Sequence, residues 1–207
     1  MRQVKFYLTI VFGVLVISSC SKSTEPTSNT TPIDSTYLIQ HSTFEKNGQP
    51  FVGSWTFHNA EDGDTALFTN QGRYFDTDVP SGGGMYSFRL HTSDFLNEYN
   101  QLTQSFTNLK SGIYSLSVWL KYKYVLDPAT FPPSWIAIIK SNGGVPVISR
   151  QNAVDSSTWQ LQTILDTLTL LPTDTLTVVL SGGAKNGGPS AHGNPLSVDN
   201  ISFRRLP

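Results

Sequence analysis

Residues 113–124 admit one kind of local structure. Tyr114, Leu116, Val118 and Leu120 alternate with Ser115, Ser117, Trp119 and Lys121, and a two-residue period places the first set on one face of a strand and the second on the other. The first face needs a core and the second meets solvent. A similar alternation runs just before it, Leu102, Gln104 and Phe106 against Gln101, Thr103 and Ser105, with a turn at Lys110-Ser111-Gly112 between the two. Trp119 stands out, a large indole on the face its neighbours mark as wet. It is either a platform for a ligand or a residue covered by a loop or by another protein.

The same short alternations recur along the chain. They predict strands at Trp55–His58, Ala66–Thr69, Tyr86–His91, Leu102–Phe106, Ile113–Tyr124, Trp135–Lys140, Val145–Arg150, Thr158–Leu165, Leu176–Ser181 and Leu196–Phe203. A 3.6-residue apolar repeat over three turns is found nowhere, and the best helical candidate is about one turn near Ser93–Asn97, with Ser93 as its cap. The pattern is that of an all-β sandwich or barrel. Trp55 and Trp159 each begin a predicted strand and are expected to plug the ends of the core. Trp135 follows the proline-rich segment Asp127–Ser134 and is expected either in the core or at a rim, with Phe131 presented by the same segment. Ser81–Gly84 and Ser181–Pro195 read as glycine-rich loops.

The N-terminus has its own logic. Arg2 and Lys5 precede an apolar run from Phe6 to Ile17, too short for comfortable spanning of a bilayer core that needs about 20 residues. Ser18-Ser19-Cys20 follows. Small residues before a cysteine resemble the lipobox of bacterial lipoproteins, which implies a leader over 1–19, acylation of Cys20 and an anchor in the cell envelope, the outer membrane being the expected site. An ordinary secretory leader with an incidental Cys20 is the other reading. Cys20 is the one cysteine of the chain, so lipidation leaves the folded part without any thiol for a disulfide, a metal or a nucleophile. Residues 20–36 are rich in Ser, Thr, Pro and Asn and bury too little to offset the entropy of ordering, which makes them a tether. One domain is expected over 37–207.

Charge and motifs exclude several functions. A formal net charge of −1 offers no basic face for nucleic acid. The sequence has no Gly-x-Ser-x-Gly elbow, no His-Glu-x-x-His pair and no phosphate-cradling Gly-x-x-x-x-Gly-Lys. The densest acidic cluster, Glu61-Asp62-Gly63-Asp64, reads as a turn, and His41, His58, His91 and His192 are scattered without metal spacing. No residue set stands behind a hydrolase.

Four fragments in one order carry a resemblance. Thr43-Phe44-Glu45 with Gly48, then "Leu-x-x-Gly-x-Tyr" and "Leu-Ser-x-Trp-x-Lys" over 109–121, then Trp159-Gln160, then LSVDNISF over 196–203 are similar to motifs of carbohydrate-binding modules with the galactose-binding-like jelly roll, families four, nine and twenty-two. The resemblance runs from about Phe44 to Phe203. It implies an antiparallel two-sheet β-sandwich and non-catalytic binding of an oligo- or polysaccharide. In those modules an acidic residue after the opening Phe and an Asp in the final strand join backbone carbonyls around a structural Ca²⁺. By motif position these are Glu45 and Asp199. A structural or assembly protein using the same sandwich to bind another protein is the alternative.

A sugar site is expected on the wet face of the Trp119 strand. Strand 85–91 turns Arg89 and His91 outward with Met85 and Ser87. If it shares a sheet with Ile113–Tyr124, then Arg89, His91, Trp119 and Lys121 face the same solvent, with Trp135 and Phe131 at the rim. An indole covers the C–H face of a pyranose, worth about 25 cal/mol per Å² of apolar area removed from water. Arg and Lys donate to hydroxyls or to a sugar carboxylate.

Overall fold

The computed structural model describes residues 37–58, 74–90, 100–122, 133–182 and 195–207. Expectations at Cys20, His91 and Phe131, the tether, the strand at Ala66–Thr69 and the turn at Ser93–Asn97 lie outside these residues. The described strands are β1 (Tyr37–Ser42), β2 (Glu45–Lys46), β3 (Gln49–Pro50), β4 (Thr56–His58), β5 (Phe75–Asp76), β6 (Ser87–Leu90), β7 (Asn100–Phe106), β8 (Gly112–Tyr122), β9 (Trp135–Ser141), β10 (Val147–Asn152), β11 (Ser156–Leu168), β12 (Thr175–Gly182) and β13 (Leu196–Arg205). They form two antiparallel sheets and a small β2–β3 hairpin. One sheet runs β11-β8-β13-β6-β5 with β1 also on β13, and the other runs β10-β9-β12-β7-β4.

The alternation in the sequence becomes the sandwich. On β8, Tyr114, Leu116, Val118, Leu120 and Tyr122 are buried, and the residues between them face outward. On β12, Leu176, Val178 and Leu180 are buried in the same core. Rings bridge the sheets, Phe57 of β4 lying 5.5 Å from Phe88 of β6, and Phe106 of β7 lying 5.5 Å from Phe203 of β13. Phe88 is the hub, also 5.3 Å from Phe44, 5.3 Å from Phe75 and 6.1 Å from Tyr74. At the end of β12 a Cβ on Gly182 would stand 2.5 Å from the Cβ of Leu90, so only glycine lets the two sheets come that close.

Two placements differ from the sequence reading, those of Trp135 and Trp159. β7 and β8 lie in different sheets, so residues 107–111 carry the chain from one layer to the other. Consequently Trp119 and Trp135 occupy outer faces on opposite sides of the sandwich, and Trp135 makes no rim for Trp119. Its place is a small apolar cluster with Ala137 and Val179, separate from the main core, and it is 9% exposed. Trp159 is no core plug either. It is half-buried on the outer side of β11, where the β8 pairing shifts register between Ser156 and Gln160.

Candidate functional site

Two carboxylates far apart in the chain, Glu45 and Asp199, lie under residues 80–84. Asn200, with φ of 46°, opens a bulge in β13 between Asp199 and Ser202, a left-handed position that Asn tolerates. The bulge turns its own N–H onto Asp199 Oδ1 at 2.7 Å. Asp199 is fully buried, and its Oδ2 has no hydrogen-bond partner among the described residues. Glu45, in β2, accepts the N–H of Met85. Residues 83 and 84 are closed in between. A Cβ on Gly83 would come within 2.5 Å of Asp199 Oδ2 and 3.0 Å of the Pro80 carbonyl, and one on Gly84 would collide with the Glu45 carboxylate. The glycine-rich segment is thus a fitted cover, its turn closed by the Gly83 N–H donating to the Pro80 carbonyl at 2.9 Å.

Burial pushes the Asp199 carboxyl up to about 6; the Asn200 N–H opposes the rise and the Glu45 charge adds to it. An unpartnered buried carboxylate oxygen beside a second carboxylate is costly. The donor set suits a hard cation, which takes carboxylate and carbonyl oxygens. No third Asp, Glu, His or Cys side chain joins the pair among the described residues, so further ligands there would have to be carbonyls or water.

The outer face of the six-stranded sheet holds three of the six residues expected at a sugar site, Arg89, Trp119 and Lys121. β6 and β8 do share this sheet, separated by β13. The register sets Arg89, Ser197 and Lys121 in one row, with Leu161, Trp119 and Asp199 in another. The face is not open throughout. Ser87 and Asp199 point outward yet are fully buried, because residues 77–84 cross over them, and Ser87 Oγ donates to the Asp78 carbonyl at 2.7 Å. Asp78 also reaches β8 and β11, where its carboxylate pairs with Lys121 and accepts the Trp159 indole N–H at 3.1 Å. The hydrogen bonds from Lys121 and Trp159 hold the Asp78 carboxyl below its usual range. Trp119 is half-buried beside this cover and Arg89 is exposed.

The five-stranded sheet presents a different face. Asn152, Trp135, Ser181, Gln101 and His58 form one cross-strand row, and Arg150, Ala137, Val179, Thr103 and Thr56 the next. The Arg150 guanidinium lies 4.7 Å over the Trp135 ring and donates to Asn152 Oδ1 at 3.3 Å. Gln101 donates to Ser181 at 3.4 Å, and His58 and Thr103 share a hydrogen bond of 3.0 Å. None of the five strands contains an Asp or a Glu. Sequence reading missed Arg150 and Asn152 here; their signal is the polar pair two residues apart on β10, one strand from Trp135.

No protein-family model and no curated protein matches the sequence. Solved structures do. The CBM22-1 xylan-binding domain of Paenibacillus barcinonensis Xyn10C is 16% identical and aligns over 83% of this chain and 95% of its own, with a TM-score of 0.50. TmCBM61, solved in complex with β-1,4-galactotriose, is 17% identical over 74% of this chain and 89% of its own, with a TM-score of 0.43. The enzymatically active domain of bacteriophage CBA120 tailspike protein 4 is 13% identical over 78% of this chain and 21% of its own, with a TM-score of 0.49. The xylan-binding domain shares the fold of this chain, which is the β-sandwich of carbohydrate-binding modules.

Proposed function

We propose that the chain is a non-catalytic glycan-binding protein, held to the bacterial envelope by lipid on Cys20. The observation that carries the binding reading is the outer face of the five-stranded sheet. Its rows offer amide and hydroxyl groups that both donate and accept, around a guanidinium stacked on an indole. Sugar hydroxyls need partners of both kinds. Glu45 and Asp199, with carbonyls of the covering loop, would hold a structural Ca²⁺ that neutralises the buried Asp199 and the half-buried Glu45 and ties β2 to β13.

The test is a glycan array probed with the detergent-solubilised mature protein in calcium, followed by affinity measurement on Arg150→Ala. A hydrogen bond from a charged donor contributes about 1.5–3 kcal/mol, so the variant should bind at least about tenfold more weakly. Its melting temperature should hold, because Arg150 is exposed. Unchanged affinity would remove this face from the proposal. One observation favours the assembly reading instead. Ile113, Leu161 and Leu165 are 42%, 54% and 64% exposed along the β8–β11 edge, and an apolar patch of that kind suits a protein partner. An array with no ligand would move the case to that edge.

Anchoring has its own check. One acyl chain gives marginal, reversible membrane binding at about 0.8 kcal/mol per buried CH₂, and stable anchoring takes more than one. Cys20→Ser should leave the protein unprocessed or release it into the soluble fraction. Membrane retention of a processed Cys20→Ser protein would refute the anchor.

A further inference from the structure

We infer that the six-stranded sheet carries a second glycan-binding surface, on the side of the sandwich away from Trp135, and that it takes an acidic sugar, with Trp159 as the ring platform and Arg89 as the partner of the sugar carboxylate. Trp159 stands where the register of β11 shifts, and its indole N–H is committed to Asp78 Oδ1 at 3.1 Å. With its one donor fixed, the ring has a set orientation. Leu161, 54% exposed, follows it on the same outer face, and Trp119 lies across from Leu161 on β8. This makes an apolar strip suited to the C–H faces of pyranose rings.

The polar groups lie beside that strip. Asp78 accepts from both Lys121 and Trp159, but an ionised carboxylate has about four lone-pair sites, so acceptor capacity remains for hydroxyls. Lys121 is neutralised by Asp78, whereas Arg89 is exposed and forms no ion pair with a described residue. Arg89 stands in one row with Ser197 and Lys121, two strand spacings or about 9.6 Å from Lys121. A planar guanidinium binds a carboxylate through two parallel hydrogen bonds. Fastening residues 77–84 to the sheet would account for the Asp78 contacts. It leaves the exposed Arg89, which forms no ion pair with a described residue, without a role. Glu45 and Asp199, the nearby acids under the loop, are matched by the cation proposed above, so the experiment is done in calcium.

Titration calorimetry on the detergent-solubilised mature protein, with an aldouronic xylo-oligosaccharide bearing one glucuronate and with neutral xylopentaose, tests the surface. The acidic probe should bind about tenfold more tightly than the neutral one. Arg89→Gln should erase that difference with the melting temperature kept. Trp159→Ala should weaken both probes, Trp159→Phe should restore most of the loss, and Arg150→Ala, on the other face, should leave the acidic preference in place. Equal binding of the two probes by the unaltered protein, no binding of either, or a preference that survives Arg89→Gln would overturn the inference. A preference lost in Arg150→Ala and kept in Arg89→Gln would assign it to the five-stranded sheet and would equally overturn it.

Discussion

Calcium at about a hundred times its dissociation constant should raise the melting temperature at pH 7.5 by about 8 °C, and a chelator should remove the gain. A ligand at that concentration stabilises the folded state by about 2.7 kcal/mol, and for a domain of this size each kcal/mol is worth about 2–4 °C. The cause is local. Asp199 is fully buried with one oxygen unpartnered and Glu45 nearby, so the metal-free fold bears two uncompensated charges that a divalent cation removes. The pH dependence follows with a definite sign. The Asp199 carboxyl is raised to about 6 in the fold from an ordinary value of about 3.9, so between those values the folded state binds more protons than the unfolded one. In chelator, this residue's contribution to stability is therefore present at pH 4 and is lost as pH rises through 6, a change of about 3 kcal/mol. Calcium needs the deprotonated form, so its effect should be larger at pH 7.5 than at pH 5. Asp199→Asn isolates the effect from other carboxylates. It should abolish the calcium response while leaving the metal-free protein at least as stable at pH 7.5. Melts that ignore calcium and chelator alike would show that the pair holds no metal.

Phe88→Ala should cost about 4 kcal/mol, near the middle of the range for a buried phenylalanine, and lower the melting temperature by about 12 °C. Phe88 is fully buried and its ring meets Phe44, Phe57, Tyr74 and Phe75. Truncation therefore strips partners from four rings at once, one of them in the opposite sheet. Against a total stability of about 5–15 kcal/mol such a loss is a large share, and urea melts will measure it even where the variant folds poorly. A cost under about 1 kcal/mol would mean that the rings repack into the space.

The strands were legible because a half-buried strand writes its period directly into the sequence. The predicted Ile113–Tyr124 is Gly112–Tyr122 in the part that is described, and Leu196–Phe203 is Leu196–Arg205. Strands of two residues, β2, β3 and β5, show no period and were missed. Sheet membership was less visible. Nothing in the turn at 107–111 says whether the chain pairs back or crosses to the other layer, and that choice decides whether Trp119 and Trp135 share a face. Trp159 was misread because its partner Asp78 is 81 residues away and because Leu161 and Leu165, in phase with it, make the outer side of this strand look like a core face in the sequence. Glu45 and Asp199 became candidates through their motif positions alone, since burial of a carboxylate leaves no trace in local pattern.

β13 occupies the middle of the six-stranded sheet, with β8 along one edge and both β6 and β1 along the other. It also follows every other described strand in the chain. Until it arrives, that sheet consists of a β11–β8 pair and a β6–β5 pair with nothing to join them, and β1 has no neighbour. Assembly therefore waits on contacts between residues far apart in sequence, and such folds form slowly because loop closure precedes the reward. The last strand in the chain thus closes the sheet, joining both pairs and β1 at once.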